Sequence, residues 1–178
     1  CLKGSGLALG DIDRDDIEFH PEQEFHIYRN LLELSQDPLL GLKLGEAFPL
    51  ESYGLLGYAM LSASTIGEAV KTAQEFGALT FSHFKILMLE NKDRAGLGFE
   101  AAHGIPDDLL ALYCDRDIQA SLKVNSLFSP GSVVPVSISM MHEQLEHRDV
   151  YRAHWQCEIE FGAWRNESWF EKHILESP

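Results

Sequence analysis

Basic residues are scarce in this chain. Lys and Arg together number 14 against 28 Asp and Glu, a net charge of -14. A DNA-binding surface needs a basic footprint to replace the counterions of the phosphates. Any DNA contact must therefore come from something outside these residues, and the acidity otherwise reads as solubility. Cysteine is scarce too. Cys1, Cys114 and Cys157 are an odd number, with no CxxC and no metal-ligand spacing, which gives no disulfide framework and suits a reducing cytoplasm. No apolar run reaches the ~18 residues that a membrane-spanning helix needs. Nor does the chain open on a basic stretch followed by an apolar one, so no signal peptide is expected. It opens on Cys rather than Met and reads as an excised fragment.

Motifs for cofactor, metal and covalent chemistry are also lacking. GSGLALG, from Gly4 to Gly10, has the wrong spacing for a dinucleotide loop and no strand before it. No Ser sits in a GxSxG elbow, and neither Cys114 nor Cys157 has a His and carboxylate arranged beside it in sequence. His142 and His147 flank a Glu but lie five apart, which on a helix turns them to different faces, so zinc is not expected. Asp11, Asp13, Asp15 and Glu22 fall at calcium-hand positions, but Asp16 stands where such a loop needs Gly, and Pro21 interrupts its end. An acidic linker is the better reading. His103 stands before Gly104-Ile105-Pro106, an ordinary turn. Asn166-Glu167-Ser168 matches a glycosylation acceptor, which a cytoplasmic protein would not use.

What is present is a patterned apolar chain. A length of 178 residues, 45% of them hydrophobic, suits one domain with a real core. Residues 1–20 form an acidic lead-in. Pro21 suits a first helical turn, and Phe25, Tyr28, Leu31, Leu32 and Ser35 then recur at helical spacing. Asp37–Val70 is the most patterned stretch. Gly41 and Gly45, four apart, give a helix a small-residue face that lets a neighbour approach closely. Pro49 breaks the chain before helices at about 51–62 and 65–77. YAML, after Gly57, is apolar all round, as a buried helix would be. Thr65 and Glu68 fit a capping box.

Near Leu79 the period changes. LTFSHFKILMLE reads as a strand, NKDR as a turn, and AGLGFE as its partner, with glycines on a face tucked under another element. A long helix is expected over about 106–128, with Asp107 and Asp108 at its positive end. VVPVSISMM should be a strand with Pro135 at an edge or start. HEQLEHRDVYRAHWQ should contain a helix, and CEIEFGAW the last strand. The expected fold is α+β: a helical N-terminal half packed on a small antiparallel or mixed sheet with one long helix.

Two segments, DPLLGLKLGE (Asp37–Glu46) and YGLLGYAMLSASTIGEAV (Tyr53–Val70), resemble the N-terminal effector-binding region of one branch of AraC-type bacterial transcription regulators, the branch labelled arabinose-binding-domain-like. The upstream NLLELSQ and the closing FGAWRNESWFEKHILESP extend the resemblance over most of the chain. It implies a regulatory domain that binds a small effector, commonly in a homodimer, and reaches DNA only through a helix-turn-helix part absent from these residues. Helices followed by a β-rich half also describe haem-based nitric-oxide sensors. Their Tyr-x-Ser-x-Arg motif is missing here, so neither haem nor another cofactor is expected.

Sensor domains enclose ligands with apolar walls and a few polar anchors. Five candidates lie where the helical half should meet the sheet: Tyr58, a polar tip in a buried helix; Phe81 and His83, on one face of the first strand; and Tyr113 and Arg116, one turn apart on the long helix. Arg116 could take a ligand carboxylate bidentately. Each also has a plainer structural role, Arg116 paired with a surface acid and Tyr58 satisfying a core hydrogen bond. Trp155, Trp164, Trp169 and Phe170 give the C-terminal part an aromatic weight that fits an interface or a core.

Overall fold

Pro21 opens the first α-helix of the computed structural model, which describes all residues except 15, 102–103, 129–133, 144 and 178. Helix α1, Pro21–Ser35, carries proline in its first turn with Glu22 and Glu24 at the positive end of its dipole. It stops at Gln36, whose φ of 50° makes a left-handed cap. The first five residues are tied to α1. The Asn30 side-chain amide donates to the Cys1 and Lys3 carbonyls, and the Gln23 amide donates to the Ser5 carbonyl. Asp15 and His103 fall outside the described residues.

Asp37 starts the next turn by accepting the Leu39 N–H at 3.0 Å, and α2 runs Leu40–Ala47. A 3-10 turn at Leu50–Tyr53 leads to Gly54, whose φ of +54° breaks the expected 51–62 helix before α3, Gly54–Leu61. Helix α4, Ile66–Glu75, is capped by Thr65 Oγ1, which accepts the Glu68 N–H at 3.2 Å. The return bond of the capping box goes one residue earlier, from the Ser64 N–H to Glu68 Oε2 at 2.8 Å.

The buried-helix reading of α3 needs correcting. Leu56 and Met60 are buried, but Leu55 is 85% and Tyr58 63% exposed, and Leu61 is exposed as well. A helix apolar all round gives no periodicity to say which side is covered, and only one side here is.

Strand β1, Phe84–Glu90, pairs antiparallel with β2, Arg94–Ala101, across a turn in which Asn91 Oδ1 accepts the N–H groups of Asp93 and Arg94. Helix α5, Leu110–Phe128, follows a 3-10 turn at Asp107–Leu109. Then come β3, Ser137–Met140; α6, Arg148–Trp155; β4, Glu158–Phe161; and β5, Asn166–Glu171. The sheet is mixed, in the order β1-β2-β5-β3-β4, with only β3 and β4 parallel. Strand β5, not β4, is the last. Its inward residues, Asn166, Ser168 and Phe170, are mostly polar, so it lacks an apolar alternation. Pro135 precedes β3, which is an inner strand.

Helix α5 runs between the sheet and α2, and the glycine face sets the spacing. A Cβ on Gly41 would stand 2.5 Å from the Leu112 carbonyl oxygen and 2.6 Å from Asp115 Cβ. One on Gly45 would stand 2.7 Å from Gln119 Cβ and collide with the Arg116 carbonyl. The two backbones meet, so only glycine fits. Gly96 of β2 lies equally close to the Ser168 carbonyl of β5. Trp155 and Phe170 belong to the core around α5, while Trp164 is exposed with the Arg165 guanidinium 4.2 Å from its ring centre. The fold is thus α+β, with a helical first half, a five-stranded mixed sheet and one long central helix.

Candidate functional site

Arg116 is fully buried, so its charge must be met inside the protein. Its Nε donates to Asp117 Oδ1 at 2.6 Å. One terminal nitrogen donates to Glu24 Oε1 at 3.2 Å and Tyr28 Oη at 3.1 Å, and the other to the Phe81 carbonyl at 3.4 Å. Four of the five N–H donors of the guanidinium are therefore engaged. Four rings surround it: Tyr113 at 4.4 Å from its centre, then Tyr28, Phe81 and Phe48 within 6 Å. Burial works against the Arg116 charge, but the negative charge of Asp117 and the hydrogen bonds to Asp117 and Tyr28 together outweigh it and raise its pKa. Burial also works against the Glu24 charge. The hydrogen bond from His83 at 3.0 Å and the charge of Arg116 outweigh it and hold this carboxyl below its ordinary range.

The structure thus brings four of the five sequence candidates together. Phe81 and His83 lie in the segment just before β1 rather than on it. Phe81 stacks on Phe48 at 4.5 Å, and His83 meets the Tyr113 ring edge at 5.0 Å. Tyr58 is exposed on α3 and is not part of this cluster. Arg116 pairs with one buried acid, Asp117, and one half-buried acid, Glu24, rather than with an acid in open water. Arg116 could grip a ligand carboxylate bidentately only by giving up partners it already has.

Beside this cluster lies a cavity of about 70 Å³. Helix α3 contributes Leu56 and Met60, α4 contributes Ala69, Val70 and Ala73, and the β1–β2 hairpin contributes Ile86, Leu97 and Phe99. Helix α5 closes it with Asp117, Ala120, Ser121, Val124 and Asn125, and Tyr53, Thr80, Phe81 and Ser82 complete the wall. Asp117 and Phe81 belong to both the cavity and the Arg116 cluster. Asp117 Oδ2 accepts from the Ser82 hydroxyl at 2.5 Å. Burial, with the Asp117 charge nearby, pushes the Tyr53 phenol up to about 12, so it stays protonated at neutral pH. A larger recess of about 230 Å³ lies over Glu46, Lys123, His154 and Gln156, with a lining that is largely polar and half exposed. The smaller cavity, walled by core residues, has the apolar lining and few polar groups of a small-molecule site.

Sequence reasoning missed Tyr53, Ser82, Asp117 and Asn125. One signal was there. Asp117, Ala120, Ser121 and Val124 follow helical spacing, and the small residues Ala120 and Ser121 of α5 line the cavity together with Ala69 and Ala73 of α4. Small residues on two helices that share a wall leave space between them.

Two other buried polar groups are structural in geometry. Asp115 accepts from the Tyr151 hydroxyl at 2.6 Å and lies 3.0 Å from His142 Nε2. Cys114 accepts from the Asn166 side-chain amide at 3.0 Å, and burial pushes its thiol up to about 12, which removes nucleophilic character at neutral pH. Among the described residues, no group of three or more His, Cys, Asp or Glu is arranged to hold a metal ion.

The family model described as the arabinose-binding domain of AraC transcription regulators, N-terminal, matches residues 1–178. The chain belongs to this family. An uncharacterized HTH-type transcriptional regulator of Mycobacterium tuberculosis is 25% identical over 188 residues, spanning 99% of this chain and 53% of the relative. The counterpart in Mycobacterium bovis matches to the same extent. The ornithine utilization regulator of Pseudomonas aeruginosa is 26% identical over 98 residues, 55% of this chain and 28% of the relative. This AraC-family chain thus spans about half the length, or less, of the curated relatives it matches. In fold it is similar to the crystal structure of the transcriptional regulator CdpR from Pseudomonas aeruginosa. That likeness has a TM-score of 0.70 at 19% identity, over 88% of this chain and 51% of the other.

Proposed function

We propose that residues 1–178 are the effector-sensing domain of a cytoplasmic AraC-type regulator, which binds a small molecule in the cavity between α4, the β1–β2 hairpin and α5. The family supports a regulatory ligand-binding domain. The observation that carries the location is the cavity, a half-open pocket at the edge of the core whose lining includes a buried carboxylate. Occupancy would act through α5. One face of that helix lines the cavity and the other meets the α2 backbone at Gly41 and Gly45, so a shift of α5 is passed to α2. A DNA-binding part beyond these residues would read the shift as a change in population. The relatives, HTH-type regulators about twice as long, support such a part.

Native mass spectrometry of the purified chain, followed by denaturing extraction, tests this. A small molecule that co-purifies and is released on unfolding supports effector sensing and reports its chemical class. A second reading, an effector-independent dimerisation module, is favoured by Leu55, Tyr58 and Leu61 standing exposed on α3. A ligand-free dimer that Leu55→Asp converts to monomer in sedimentation velocity would favour that reading over the first.

A further inference from the structure

The charge arrangement beside the cavity limits what the cavity can hold, and this limit rests on the effector-sensing reading. Among the described residues lining it, Asp117 is the one charged side chain. Arg116 stands behind Asp117 rather than in the wall, and Asp117 and Glu24 share that one guanidinium. A ligand anion placed here would meet a carboxylate first, in a setting where charges are poorly screened. It would find no free arginine fork, since four of the five donors of Arg116 already have acceptors. A hydrogen-bond donor meets the opposite situation. Each Asp117 oxygen accepts one hydrogen bond within the protein, from Arg116 and from Ser82, which leaves acceptor capacity on both. Asn125 adds an amide to the same wall. About 10–15 Å³ holds one water molecule, so a cavity of about 70 Å³ suits a ligand portion of a few heavy atoms.

We propose that this cavity selects small ligands with an apolar body and an uncharged or cationic head that donates a hydrogen bond to Asp117, and that it rejects carboxylates and phosphates. The simplest probes are n-butylamine, 1-butanol and sodium butyrate, which share a four-carbon body and differ in the head. Each is titrated into the 15N-labelled chain at fixed pH and ionic strength, and amide shifts are followed by NMR. Ala73→Met, which fills the cavity from α4, is run in parallel to separate cavity binding from amine attraction to the acidic surface.

Butylamine and butanol should move the amides of α4 and α5 that line the cavity in the wild type and not in Ala73→Met. Butyrate should need at least about tenfold higher concentration for the same movement. Butyrate binding as tightly as butylamine, and lost in Ala73→Met, would overturn the selectivity while leaving effector sensing in place. No movement by any probe, or movement that survives in Ala73→Met, would also overturn it. Effector sensing is then judged separately by the mass of what co-purifies with the chain.

Discussion

The two faces of α5 differ in how much room they leave. Toward α2, the backbone at Leu112 and Arg116 comes so close to Gly41 and Gly45 that a single added methyl group would collide. Toward α4 and the hairpin, small residues of both helices line a cavity. One helix is thus packed backbone to backbone on one side and borders a cavity on the other. Arg116 and Asp117, adjacent in sequence, sit at the join. Arg116 is locked into the tight region, and Asp117 reaches from it into the open one.

The largest effect expected from breaking this arrangement is at Arg116. Arg116→Met removes the cation and leaves Asp117 and Glu24 without their shared partner. Loss of one member of a buried ion pair costs about 3–5 kcal/mol, so chemical denaturation should show a clearly lower midpoint or no folded baseline. Next comes the backbone contact. Gly45→Val must push α2 off α5, and overpacking of this kind costs about 1–3 kcal/mol, sometimes more. Gly77→Val, where nothing lies within reach of a new Cβ, is the control that should cost less.

A smaller effect is expected with pH. The Glu24 carboxyl is held below its ordinary range in the folded chain, so it binds fewer protons there than when unfolded. Its contribution to stability is present above the unfolded carboxylate pKa of about 4.3 and is lost as pH falls through the lower folded value. Melting temperature measured from neutral to acid pH should therefore decline less steeply in Glu24→Gln than in the wild type. The smallest effect on stability is expected at Ala73→Met, which adds atoms to existing space. It should leave the melting temperature nearly unchanged.

Much of the tight region was legible in the sequence, and little of the open one. Gly41 and Gly45 signalled a close approach because a four-residue spacing fixes one helix face whatever lies opposite. Proline at 21, the Asn91–Arg94 turn and the long helix were likewise local signals. Arg116 was singled out, but its burial was not visible, since Glu24, one of its partners, comes from 92 residues away. Strand β5 escaped because Asn166 and Ser168 point inward, each in a place that only the folded chain creates. Asn166 accepts the Met141 N–H and donates to Cys114. The exposure of Tyr58 was hidden for the opposite reason: α3 is apolar on every side, so periodicity could not say which side the core would cover. A cavity is harder still to read, because it is made by the absence of side-chain volume on several elements at once.

The most direct test is a melting-temperature screen of a metabolite library against the wild type and Ala73→Met in parallel. If the cavity is the effector site, at least one compound raises the wild-type melting temperature in proportion to its concentration, as binding to the folded state requires, and has no effect on Ala73→Met. Compounds that stabilise both proteins equally, or none that stabilises the wild type, would contradict it.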